Sequence, residues 1–156
     1  MSHSVSILIK KISSSTDPWG CDLEYEVRNN SQAPIWLVND GWLIWHQTGP
    51  EIELSYARGK MRAGSQVFGY FPPAVLQVDP GRQVTKAVTL RWPQSLDRLW
   101  NQEVSAAPGR GEYQLSVRVG YGTVQAPDPP SVGEGVEAPV LRWQHEAVSE
   151  AAQMVV

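Results

Sequence analysis

The sequence predicts an all-β protein, and three observations carry that expectation. In GEYQLSVRVGYG (111–122), Tyr113, Leu115, Val117, Val119 and Tyr121 alternate with Glu112, Gln114, Ser116 and Arg118. Successive strand side chains point to opposite faces, so this stretch reads as a strand with one buried and one wet face. Similar segments, rich in Val, Ile, Leu, Tyr and Trp, recur at short intervals with turn residues between them, the pattern of a sandwich or barrel. Helical spacing is nearly absent.

The first strand is SVSILIKKI (4–12), followed by the polar loop SSSTDPWG (13–20). CDLEYEVRN (21–29) alternates strictly, with Cys21, Leu23, Tyr25 and Val27 on one face. NSQAP (30–34) turns into IWLVND (35–40), and Gly41 leads to WLIWHQ (42–47). TGP precedes EIELSYA (51–57), and RGKMRAGS (58–65) reads as a hairpin-like loop before QVFGYF (66–71). AVLQV (74–78) ends at the turn DPG (79–81), and RQVTKAVTLRW (82–92) is a further strand. Helical turns are expected in two places only. These are PQSLDRLWNQEV (93–104), with Leu96, Leu99 and Trp100 at helical spacing, and the tail HEAVSEAAQMVV (145–156). APDPPSVGEGVEAP (126–139), rich in Pro, Gly and acid, predicts a mobile loop before a last strand, VLRWQHE (140–146).

The 156 residues predict one domain, 1–146, with a C-terminal tail, 147–156. A net charge of −3 and an isoelectric point near 5.6, with Lys10–Lys11 the densest basic pair, argue against nucleic acid. Cys21 is the lone cysteine, which excludes an intramolecular disulfide and a thiolate-rich metal site. The opening MSHSVSILIKKISSS lacks the apolar centre of a signal peptide, and no run approaches membrane-spanning length. A soluble chain in a reducing, cytoplasmic compartment is expected.

Gly111 and Tyr113 of GEYQL resemble the opening of strand F in immunoglobulin-like sandwiches. There a tyrosine corner precedes the second antibody cysteine by two residues, and Leu115 takes that slot. CDLEYEVRN resembles strand B, and PIWLV resembles strand C with Trp36 in the place of the core tryptophan. The resemblance implies an immunoglobulin-like antiparallel β-sandwich with one or two short helical turns, and Trp36 and Trp92 are its core candidates. A narrower resemblance joins L-x-Y-x-V-x-N-x-S (23–31), DPG, a strand ending in Trp-Pro and the late GEYQLSV. This layout is similar to bacterial intracellular immunoglobulin-like proteins, among them the intracellular proteinase inhibitor family. The Asn-Pro-Thr-Thr-Gly loop of chagasin-like inhibitors is absent, as is their Arg-Pro-aromatic motif after Tyr121.

Catalytic chemistry finds little footing. His3, His46 and His145 lack a second ligand at i+2 or i+4, so surface or hydrogen-bonded histidines are expected and no metal. No Gly-x-Ser-x-Gly elbow occurs, and Cys21, on an apolar strand face, reads as a small core residue. Gly59, Gly64 and Gly69 make no phosphate loop, and Glu24 and Glu26 share a water-facing strand face. The expectation is a protein that is not an enzyme and carries no cofactor.

Seven tryptophans against two phenylalanines is the unusual quantity. Tryptophan combines large contact area with a polar N–H and is enriched at binding hot spots. Trp42 and Trp45, three apart, lie on opposite strand faces, so one of them and Trp19 in its turn are expected at the surface; the competing reading packs them under the sandwich ends. With Arg58, Lys60 and Arg62, the one local basic patch, Trp19, Trp42 and Trp45 form the expected partner surface. The partner is another protein, a protease to be inhibited or a toxin to be neutralised by an immunity protein. The alternative is a carbohydrate- or small-ligand-binding module, its aromatics stacked on sugar rings.

Overall fold

The computed structural model describes residues 4–16, 19–40, 43–58, 72–91, 108–135 and 138–156. The strand expected at 66–71, the helical turns at 93–104 and Trp92 lie outside them. In chain order the described elements are β1 (Val5–Thr16), β2 (Trp19–Asn29), β3 (Ile35–Val38), β4 (Ile44–Thr48) and β5 (Glu51–Ser55). Then follow β6 (Val75–Val78), β7 (Gln83–Arg91), β8 (Glu112–Gly122), the helix α1 (Ala138–Trp143), β9 (His145–Val148) and β10 (Ala152–Val155). The protein is all-β.

Two sheets form. β1, β2 and β7 make an antiparallel three-stranded sheet in that order. The larger sheet is built around β8. One edge of β8 bonds β5 at Gln114–Arg118 and β3 at Tyr121–Gly122; the other bonds β10 at Glu112–Leu115 and β9 at Arg118–Tyr121. β4 extends the sheet beyond β5, and β6 extends it beyond β3. The β4–β5 connection is the two-residue loop Gly49–Pro50, where Gly49 takes φ +59°, a conformation that penalises any side chain.

One apolar core joins the sheets. Val5, Ile7, Leu23, Tyr25, Val27 and Leu90 of the smaller sheet meet Ile35, Leu37, Trp45, Leu54, Leu115 and Val117 of the larger. In β8 the alternation works as expected, Leu115, Val117 and Val119 being buried while Glu112 and Gln114 are exposed. Asn29 ties the sheets together from complete burial. Its Nδ2 donates to Ala33 O at 2.8 Å and Val78 O at 2.9 Å, and its Oδ1 accepts from Ser31 N and Oγ at 2.9 and 2.6 Å.

Several expectations are corrected. The sheet around β8 is mixed, not purely antiparallel, because β5 runs parallel to β8. Parallel neighbours need a long crossover, and residues 56–111 supply it through β6 and β7. Most of the loop expected at 13–20 is strand, since Ser13–Thr16 pair in register with Trp19–Asp22 and the ladder overrides their polarity. Trp36 is only half-buried; Ile35 and Leu37 beside it face the core, and two apolar side chains outcompete one. Trp45 is the tryptophan that fills the core, at 2% exposure.

The segment 140–146 opens as helix α1. The ring of Trp143 lies where Gly122 has no side chain (a Cβ there would stand 1.9 Å from Cε2), and its Nε1 donates to Val124 O at 2.8 Å. The tail is strand, not helix: β9 and β10 bond β8 on either side of Ser149, whose N donates to Val117 O and whose Oγ accepts from Val117 N, each at 2.9 Å. Residues 147–156 are thereby part of the sheet.

Three stability outcomes are expected. Leu115→Ala should cost about 2–4 kcal/mol through lost burial and a residual cavity, whereas Leu8→Ala at the exposed outer face should stay within about 0.5 kcal/mol. Asn29→Ala should cost roughly 2–4 kcal/mol, because the buried bond to the Val78 carbonyl is lost and Ser31 N loses its acceptor. Urea-melt midpoints with unchanged slopes check all three.

Candidate functional site

The expected surface residues separate. Trp45 is buried, its Nε1 donating to Gln47 Oε1 at 3.3 Å, so it presents no area to a partner. Arg58, expected in a basic surface patch, is also buried: its Nη1 bonds Asp40 Oδ2 at 3.0 Å. Gln144 fixes the same turn, Oε1 accepting from Arg58 N at 2.8 Å and Nε2 donating to Arg58 O at 3.0 Å. A buried guanidinium needs a charged partner, and Asp40 at the end of β3 supplies one, which turns Arg58 inward. Trp19 opens β2, where its backbone alone is described. Trp42, Lys60 and Arg62 lie outside the described residues.

The chemistry-bearing groups are dispersed. His46 and His145 are exposed, and His145 stacks on Tyr121 with ring centroids 5.5 Å apart. Glu24 and Glu26 each pair with a lysine, Lys11 and Lys10, at 3.6 Å. Cys21 Sγ lies 3.8 Å from Met154 Sδ in the core, and burial, reinforced by the Asp22 charge, pushes its thiol up to about 11. Among the described residues no cluster of three His, Cys, Asp or Glu is placed to hold a metal ion, and no helix is long and apolar enough to cross a membrane.

A groove of about 630 Å³ runs along one side of the described residues. Ser4–Ile9 of the β1 edge form one wall; Glu146–Val148 of β9 and Glu150–Ala152 form the other. One end is tied by a 3.2 Å hydrogen bond between the Ser4 and Tyr121 hydroxyls. Past the other end Ser14 Oγ donates to Val155 O. Among the described residues β1 bonds only β2, and β9 and β10 bond only β8, so the groove lies where two sheet edges face each other without a strand between them.

Its rim is acidic. Glu146 and Glu150 are the charged residues that line the groove; Glu146 bonds Arg118 at 2.8 Å, and Arg118 also bonds Glu53 of β5, across β8 from the groove, at 2.8 and 3.2 Å. Glu53 first, then Glu146, raise the Arg118 pKa above its ordinary value. Glu150 is exposed. Leu8 and Val148 stand as apolar lips, 55% and 44% exposed. Sequence reasoning missed this site because nothing local marks Ser4–Ile9 as an edge. The available signal was the uncharged SVSILI abutting two lysines, since lysines often guard strand edges.

A smaller cavity of about 240 Å³ lies between β7 and the end of β3, lined by Tyr25, Leu37, Leu43, Tyr56 and Lys86. Tyr25 and Tyr56 stack at 6.0 Å, and burial raises both phenols. The Tyr56 hydroxyl is buried without a hydrogen-bond partner among the described residues.

A scan against protein-family models and searches of curated proteins and of solved structures found no match to this chain.

Cys21 should resist alkylation at pH 8 in the folded chain and react once urea unfolds it. Its folded pKa, about 11, lies above the ordinary 9.0. Stability due to the retained proton is therefore full below pH 9 and is lost as pH rises toward 11. The raised phenols of Tyr25 and Tyr56 extend the loss above their ordinary 10.0. Between pH 8 and 10, Cys21→Ala should lose stability less steeply than the unaltered protein in urea melts.

Proposed function

We propose that this chain is an immunoglobulin-like β-sandwich acting as a non-enzymatic binding module for another protein. By the resemblance to bacterial intracellular proteinase inhibitors, that partner is a cytosolic protease to be inhibited or a toxin to be neutralised. For the fold, the support is the Tyr113 hydroxyl, which donates to Gly109 O at 2.7 Å just before β8, the geometry of a tyrosine corner. The pairing of β2 with β7, and of β8 with β3 and with the interrupted β9–β10, parallels strands B with E, and F with C and G.

The observation that carries the functional reading is the groove between unbonded sheet edges. Its volume, about 630 Å³, lies in the range of binding clefts, and walls made of backbone edges suit a polypeptide. Trp19 and Trp42, with Lys60 and Arg62, remain the loop candidates for anchoring the same partner. A small-ligand module is the second reading, favoured by the partnerless Tyr56 hydroxyl beside its cavity. At about 240 Å³ that cavity falls below the usual 300–1,000 Å³ for ligand pockets, which ranks this reading second.

The test is affinity capture from the native lysate followed by calorimetry with the purified partner. A saturable complex that abolishes the partner's activity is expected. Trp19→Ala or Trp42→Ala should weaken it by about 2 kcal/mol or more with folding intact. No saturable protein complex, together with thermal stabilisation by a sugar or other small ligand, would overturn the reading.

A further inference from the structure

We infer that the groove is a strand-addition site in which an extended, lysine- or arginine-bearing segment of a partner protein pairs with the free edge of β1. This rests on the binding-module reading above and names the partner's chemistry. The edge can be read from the ladder. Asn30 N donates to Ser4 O, while Asn29 turns its N and O to Arg82 and Gly81 on the far side of β2. With Ser4 directed at β2, alternation sends the backbone groups of Ser6 and Leu8 the same way. The N–H and C=O groups of Val5, Ile7 and Ile9 therefore face away from β2, where β1 has no strand partner among the described residues.

The edge is bounded. A register shift between Ile9 and Lys11 ends regular pairing geometry, and farther on the Ser14–Val155 bond clasps β1 to β10. That leaves Ser4–Ile9, roughly 20 Å of strand, uncharged throughout. An unpaired, uncharged edge lining a groove can template another chain, and peptide recognition by strand addition uses such edges. Opposite it, Ala147, Ala151 and Ala152 leave room for a backbone, and Leu8 and Val148 offer apolar contact at the lips.

Charge selects the occupant. The charged residues lining the groove, Glu146 and Glu150, are both acidic, and the nearest β1 cations, Lys10 and Lys11, are engaged with Glu26 and Glu24. A second copy pairing β1 to β1 would bring two acidic rims together. A basic extended segment meets complementary charge instead.

The experiment uses the full chain, isotope-labelled, and a capped eight-residue peptide alternating valine and lysine. Two control peptides carry glutamate for lysine, or N-methyl groups on alternate amides. The lysine peptide should shift the Val5, Ile7 and Ile9 amide resonances and slow their hydrogen exchange at least tenfold, while neither control binds. Leu8→Lys, at an exposed lip, should weaken binding at least tenfold with the spectrum otherwise preserved, and E150Q should weaken it several-fold. Equal binding of the glutamate or N-methylated peptide overturns the inference. So do shifts confined to other strands, or a concentration-dependent dimer that already protects those three amides. If a partner is captured and Leu8→Lys binds it like the unaltered protein, the strand-addition site fails while the binding-module reading stands. If the peptide protects the edge but no protein partner forms a complex, that reading fails and the peptide site stands.

Discussion

The larger sheet depends on one constraint: the backbone of β8 is bonded along both edges, by four strands drawn from distant parts of the chain. Leu115 and Val117, with no exposed surface, anchor this strand in the core. β4 and β6 enter the sheet only through strands already bonded to β8. Because β9 and β10 take its second edge, the C-terminal residues complete the sheet and create one wall of the groove.

The two sheets are held by apolar contact, which has no direction, and by Asn29, which does. A buried amide that satisfies Ala33, Val78 and Ser31 at once fixes the end of β2 against β6 and the loop between β2 and β3. The Arg58–Asp40 pair makes an analogous tie between the ends of β5 and β3. There the fold places in its interior a charge that the local sequence suggests for the surface.

The groove and the acidic rim have a common origin. Among the described residues strand pairing stops at β1 on one sheet and at β9–β10 on the other, and these two edges line the same groove. Arg118, on the outward face of β8, then gathers Glu53 from β5 and Glu146 from β9 across three neighbouring strands. Binding potential and electrostatic sign thus follow from which strands remain at the margins.

Alternation by itself determined the all-β class and the buried faces of 21–29 and 111–122, because period two is a property of the local backbone. It also placed Tyr113 at the start of a strand, from which its hydroxyl reaches Gly109 O. Local pattern contained the answer at Trp36 as well, since Ile35 and Leu37 share the face opposite to it. Only the tertiary structure decided the rest. VLRWQHE alternates like a strand, yet Gly122, far upstream, gives the Trp143 ring a seat and the segment opens as a helix. The tail has the spacing of a helical turn, yet the open edge of β8 recruits it as strand. Arg58 looks like a surface cation until Asp40 and Gln144 close over it. Ser4–Ile9 is legible as a strand but not as an edge, because being an edge depends on distant strands, none of which among the described residues pairs with its outer side.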